Sequence, residues 1–246
     1  MGLNGLCSPD VIRVNEVFYL ACNSWGYERT RPNQLFYMTS SDLLHWSPLR
    51  TLAPELTHGV QVIDAALAYE AGTWRLVYQQ ETDKKLRIAS APSLDGPWQW
   101  IGDGYPRLWM ADGTESALRH ENCQFVRLDG QWRLFSSDYS PRAPVLYTLN
   151  AASDRPLWLE WTAGRILHAP AEEWNSLDRD NAAWLTDQRA ADGHVYMLYC
   201  GRNATRANDF VGPGSRGVPW ARGWNRIGIA RSRDLMTWNV PGQGRT

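Results

Sequence analysis

Ser41-Asp42-Leu43-Leu44-His45-Trp46 is the stretch on which the fold turns, because its pattern comes back three times. The later copies are Ser93-Leu94-Asp95-Gly96-Pro97-Trp98, Ser153-Asp154-Arg155-Pro156-Leu157-Trp158 and Ser232-Arg233-Asp234-Leu235-Met236-Thr237-Trp238. An aspartate suits a tight turn, since its side chain bonds nearby backbone. The tryptophan behind it is placed to cover the outer edge of a sheet. Ahead of each copy stands an apolar run, a polar or Gly turn, and an aromatic-rich run. Ala66-Leu67-Ala68-Tyr69-Glu70-Ala71-Gly72-Thr73-Trp74-Arg75-Leu76 is one example, and Phe125-Val126-Arg127-Leu128-Asp129-Gly130-Gln131-Trp132-Arg133-Leu134-Phe135 another. Asp-Gly between alternating runs is a strong hairpin signal. Each unit therefore reads as two inner strands, a third such as Leu35-Phe36-Tyr37-Met38, and the Asp-to-Trp turn into a fourth. A four-stranded antiparallel unit repeated radially makes a β-propeller. No stretch holds a helical period. The expectation is an all-β chain, a single β-propeller domain over 1–246, with four blades at about 8–55, 63–105, 120–165 and 180–242.

The totals narrow the partners. The chain has 246 residues, 43% of them hydrophobic, with 25 basic and 26 acidic side chains and a net charge of −1. No basic run asks for a nucleic acid, and no apolar stretch reaches membrane-span length. The N-terminus shows no signal peptide, which leaves the compartment open between the cytoplasm and secretion after trimming. Cys7, Cys22, Cys123 and Cys200 form no C-x-x-C pair, so no zinc site, metal or cofactor is expected. Cys22 and Cys200 fall in strand-like runs as buried thiols. The 14 tryptophans exceed what a core of this size needs. Some belong to the repeated turn, and others are candidate platforms for the apolar face of a sugar ring.

In a propeller the innermost strands start around one mouth of the central channel, so equivalent positions far apart in sequence converge. Counting back from the hairpin turns places Ser8, Asp64 and Glu121 at those starts, with Asp180 or Asn181 in the fourth blade. Acids at strand ends face solvent as readily as they line a site. What points to a site here is that separate blades place acids at one register. Two converging carboxylates suit glycosidic cleavage, in which one protonates the leaving oxygen and the other activates water or attacks. Loops after each second strand return to the same mouth and bring Asn23, Ser24 and Trp25, Gln79 and Gln80, Ser137 and Asp138, and Arg202 and Asn203. Trp25 and Trp184 are the expected stacking platforms, with packing as the plain alternative for each. His120 adjoins Glu121 but points the other way on a strand. The connections 23–33 and 201–224 are long, and the second has room to act as a lid.

Ser8-Pro9-Asp10-Val11-Ile12-Arg13-Val14 resembles the opening of glycoside hydrolase family 43, an Asp-Pro followed by an extended strand. Ile63-Asp64-Ala65-Ala66 resembles that family's second-blade Asp motif, and Glu121-Asn122-Cys123-Gln124-Phe125 its third-blade Glu motif. The resemblance spans nearly the whole chain. It implies an inverting hydrolase of arabinosyl or xylosyl linkages in plant-type glycans, with Glu121 as general acid and Asp64 as the group that tunes it. The binding residues expected around them are Ser8, Trp25, Gln80, Asp138, Asn181, Trp184 and Arg202. Two departures stand out. The family's general base is an Asp where this chain has Ser8, and the nearest substitute is Asp10, two residues on and on the same face. The family fold also has five blades where four are legible here, and an open blade edge is a surface for homodimerisation. The alternatives are a propeller that binds glycans without hydrolysing them, one that uses a nucleophile other than water, and, last, a protein-interaction propeller.

Overall fold

The computed structural model describes residues 5–25, 32–138, 143–151, 158–175, 178–202 and 226–240. They form an all-β, four-bladed propeller of small sheets. Blade one is β1 (Leu6–Val14), β2 (Val17–Ser24), β3 (Leu35–Ser40) and β4 (Arg50–Thr51). A one-turn helix, α1 (Pro54–Thr57), leads into blade two: β5 (Val62–Glu70), β6 (Thr73–Gln80), β7 (Lys85–Ala91) and β8 (Gln99–Trp100). Blade three departs from the four-stranded pattern. Its strands β10 (His120–Leu128), β11 (Gln131–Asp138), β12 (Pro144–Leu149) and β13 (Glu160–Ile166) gain an outer fifth, β9 (Arg107–Met110), which runs parallel to β13. Trp109 Nε1 anchors β9 by donating to Glu160 Oε2 at 2.8 Å. Blade four has three strands among the described residues, β14 (Asp178–Leu185), β15 (Val195–Arg202) and β16 (Arg226–Ser232). A bridge between Arg231 and Asn239 stands where its fourth would run.

The first three hairpins close where the residue pairs demand it. Asn15-Glu16, Ala71-Gly72 and Asp129-Gly130 all take positive φ at both positions, 47 and 66°, 49 and 78°, and 52 and 76°. That is the primed turn whose twist matches the flanking strands. The repeated Asp-to-Trp element folds as a side-chain-capped turn at both ends of the chain. Asp42 Oδ1 accepts from the N–H groups of Leu44 and His45 at 2.9 and 2.8 Å, and Asp234 Oδ1 from Met236 and Thr237 at 2.8 Å each. The second copy differs. Asp95 reaches back to blade one, accepting from Tyr37 Oη and pairing with Arg50. Trp98, Trp158 and Trp238 are buried, while Trp46 is half-buried.

Alternation along each strand sends one face to each neighbouring blade. Ala21, Tyr37, Leu67, Leu76 and Tyr78 pack between blades one and two. Val77, Ile88, Phe125, Tyr147 and Trp161 fill the seam of blades two and three, and Phe135, Leu185, Met197 and Tyr199 that of three and four. No such cluster joins blade four to blade one among the described residues. The outward faces there are apolar all the same: Ile227, Ile229, Leu198 and Val11 are 78, 42, 39 and 38% exposed. All four cysteines are free thiols, with Cys22 and Cys123 buried and Cys7 and Cys200 partly so.

Candidate active site

A β-bulge at one register of the inner strands builds the mouth. The β1–β2 ladder breaks between Cys7 and Asp10, the β5–β6 ladder between Ile63 and Ala66, and the β10–β11 ladder between Glu121 and Gln124. The first bulged residue is left-handed each time: Ser8 at φ 50°, Asp64 at 58° and Asn122 at 52°. Asp and Asn tolerate that region better than most side chains. Bulges re-aim side chains and are over-represented beside active sites. The equivalent trio is therefore Ser8, Asp64 and Asn122. Glu121 sits one position earlier, at the register of Ile63 and Cys7, so the sequence expectation that it shares the register of Ser8 and Asp64 is off by one residue.

The trio and Glu121 nonetheless meet. Ser8 and Asp64 line one cavity, and the Ser8 hydroxyl is among the groups that favour the Asp64 carboxylate. Asp64 Oδ2 accepts from the Asn122 N–H at 2.9 Å, and the Asp64 N–H donates to Asn23 Oδ1 at 3.1 Å. Burial pushes the Asp64 carboxyl up, against the Ser8 hydroxyl and the Asn122 N–H. Glu121 lines the same cavity, about 390 Å³ in volume, with Ser8, Asp64 and Gln79 in its wall and the half-open Trp25 ring at its side. Burial first, then the charges of Asp64 and Glu81, push the Glu121 carboxyl up to about 7, opposed by Lys84 and a hydrogen bond from Gln79. A carboxyl with that value holds a proton near neutrality and can give it up.

Other expected site residues fall in different places. Gln79, not Gln80, faces the cavity, and its Nε2 also donates to the His120 carbonyl at 2.6 Å. Gln80 is its neighbour on the strand, points the other way, and donates to Thr82 Oγ1 at 2.8 Å. Trp184 lines a second cavity of about 400 Å³ further along the channel, with Ser8, Asp10, Asp64 and Gln124. Trp25 and Trp184 therefore serve different cavities. Asp138, Asn181 and Arg202 have their backbones on β11, β14 and β15, with side chains outside the described residues. Residues 203–225, and with them the lid expected in 201–224, lie outside the described residues. His120 is buried and neutral, held down to about 4 by burial, with Nε2 3.3 Å from the Tyr147 hydroxyl. No cluster of three or more His, Cys, Asp or Glu that could hold a metal occurs among the described residues.

Asp10 is buried one pleat below Ser8, where its Oδ2 accepts from the Leu67 N–H of blade two at 3.0 Å. Gln124, at the same register of blade three, clips blade four by exchanging two 2.9 Å hydrogen bonds with the Leu185 backbone. Burial lifts the Asp10 carboxyl to about 7, with the Leu67 N–H pulling the other way. The unfolded value is about 3.9, so the fold favours the neutral form. Its contribution to stability is full below about pH 4 and is lost as pH rises to about 7. An Asp10→Asn variant keeps an acceptor for Leu67 and lacks this titration. The melting-temperature difference, variant minus wild type, is expected to grow from pH 4 to 7. Parallel curves would refute the assignment.

No protein-family model matches the chain, and no curated protein matches it. Solved structures do. The Bacteroides ovatus xyloglucan-locus protein GH43B superposes with a TM-score of 0.61 at 17% identity, over 96% of this chain and 40% of its own. An endo-1,4-beta-xylanase from Bacteroides thetaiotaomicron gives 0.63 at 13%, over 97% and 72%. The α-L-arabinofuranosidase PaAbf62A from Podospora anserina, solved with cellotriose, gives 0.59 at 15%, over 97% and 68%. The chain thus spans less than half the length of the first of these. At such identities the likeness is one of fold. The fold is that of the propeller glycoside hydrolases of families 43 and 62.

Proposed function

We propose that this propeller is a glycoside hydrolase that cleaves arabinosyl or xylosyl linkages in plant-type glycans by an inverting acid/base reaction. One observation carries the reading: Glu121 lines a cavity beside Asp64, with its carboxyl raised to about 7. In the proposed role Glu121 protonates the leaving oxygen, and the negative charge of Asp64 keeps that proton in place. Trp25 offers a ring face for stacking at the mouth. Asp10 is the further carboxylate lining the deeper cavity among the described residues, and activation of water falls to it.

The test is a panel of nitrophenyl glycosides and plant oligosaccharides, run with and without phosphate. Sugar release is expected, and from the oligosaccharides it should follow a narrow bell centred near pH 7, because Glu121 must be protonated while Asp10 must be ionised. A rate that climbs steadily above pH 8 would overturn the acid role. A second reading is favoured by Ser8, whose hydroxyl cannot accept a proton from water unaided and is engaged with Asp64. It holds that the site binds glycans without hydrolysis, or uses a nucleophile other than water. Glycan binding without turnover, or turnover only with phosphate, would select it.

Carbohydrate is the proposed partner of the mouth, and a second copy of the chain that of an open blade edge. Light scattering of the purified chain is expected to show a dimer. A wild-type monomer at high concentration would rule this out.

A further inference from the structure

A third cavity, of about 480 Å³, opens at the seam of blades two and three, beside the mouth. The turn after β6, the first residues of β7 and β9, and the segment entering β10 form it. Lys84 and Arg119 line both cavities, so the two make one trough over a basic ridge. The halves differ in charge. Asp64, Glu81 and Glu121 line the mouth against Lys84 and Arg119, while Lys84, Lys85, Arg107 and Arg119 line the outer groove against two carboxylates, Asp83 and Glu115. Lys84 Nζ also pairs with Glu81 and Arg107 Nη2 with Asp103, each at 2.7 Å, which leaves Lys85 and the other Arg107 N–H groups to meet a ligand. Asp83 is already committed: its Oδ2 holds Arg87 at 3.2 Å and its Oδ1 takes the Lys85 N–H at 3.1 Å. The Arg87 guanidinium lies 3.7 Å from the centre of the Tyr105 ring, and the Lys85 ammonium 5.6 Å from it. Two cations thus flank the Tyr105 ring of the groove.

We propose that the outer groove seats an anionic substituent of the glycan held in the mouth, which makes the substrate class an acidic oligosaccharide. The inference rests on the carbohydrate reading of the mouth and adds the charge of the sugar. A carboxylate or sulfate ester on the sugar frame meets Lys85 and Arg107 through charge-assisted hydrogen bonds. The trough focuses the positive field on that end of the ligand. The neutral sugar is left beside Asp64 and Glu121, where a second negative charge would be repelled.

The test is calorimetric binding to the full-length chain carrying Glu121→Gln, so that turnover does not intrude. The probes are a xylo-oligosaccharide with a glucuronic acid branch, the same compound after carboxyl reduction, and a sulfated xylo-oligosaccharide. An anionic probe is expected to bind about tenfold tighter than the neutral one at low salt. The preference should shrink in 0.5 M salt, at which the screening length falls to about 4 Å. It should also shrink with Lys85→Gln or Arg107→Gln and persist with Lys85→Arg. Whichever anionic probe binds tighter names the substituent. Equal binding of neutral and anionic probes overturns this inference alone. Binding of no probe overturns it together with the carbohydrate reading of the mouth.

Discussion

Glu121→Gln is expected to lower release of an alkyl glycoside by about 10²- to 10⁴-fold, the range a positioned general acid contributes. Glutamine keeps the size of the side chain and its reach toward Gln79, but has no proton to give to the leaving oxygen. The loss should be much smaller for a nitrophenyl glycoside, whose leaving group departs without protonation. That contrast separates loss of the acid from a distorted site. Asp64→Asn gives a second reading of the same pair. The Asp64 charge is one of the causes holding the Glu121 carboxyl high, after burial. Removing it should move the alkaline limb of the pH profile to lower pH. Equal losses on both substrate types, with an unmoved limb, would mean that Glu121 is not the acid.

Trp158→Ala is expected to cost about 3–5 kcal/mol of folding stability, the usual toll of emptying a large aromatic site. The ring is buried at the seam of blades two and three. It meets Phe125 edge-on at 5.2 Å, Trp132 at 5.1 Å and Trp161 at 5.8 Å, with the Arg75 guanidinium 5.4 Å from its centre. Trp158 also sits at φ 81°, a strained value for a bulky residue. Alanine keeps its Cβ, so the substitution empties the space without relieving the strain. Trp46→Ala is the control from the same repeated turn. Trp46 is half-buried and tied to the Leu43 carbonyl by Nε1 at 3.1 Å, so its loss should cost far less. Urea denaturation decides, and a Trp158→Ala midpoint near wild type would remove this tryptophan from the core.

The charge preference inferred for the outer groove lay outside the reach of sequence periodicity. Lys84, Lys85, Arg107 and Arg119 come from three separate segments, and only the seam between two blades gathers them.

The local half of the molecule follows from the order of residues alone. Asp129-Gly130 specifies a primed hairpin through its own backbone preference, while Asn15 and Gly72 each favour one of the two positive-φ positions of theirs. The Asp-to-Trp spacing yields capped turns at Asp42 and Asp234, and alternating apolar runs specify strands with two buried faces. Those signals act within a few residues, so four blades were legible. What the tertiary structure alone decided is which neighbours each inner strand finds. A bulge is a count of two residues against one on the partner strand, and one strand's alternation does not contain that count. It set Asn122 rather than Glu121 level with Asp64, and Gln79 rather than Gln80 toward the cavity. The reach of Asp95 to Tyr37, the parallel addition of β9 and the clip from Asp10 to Leu67 are likewise contacts between segments 50 or more residues apart. The Glu121 proton belongs to this second half, because burial and the charge of Asp64 hold it there and both exist only once the blades are packed.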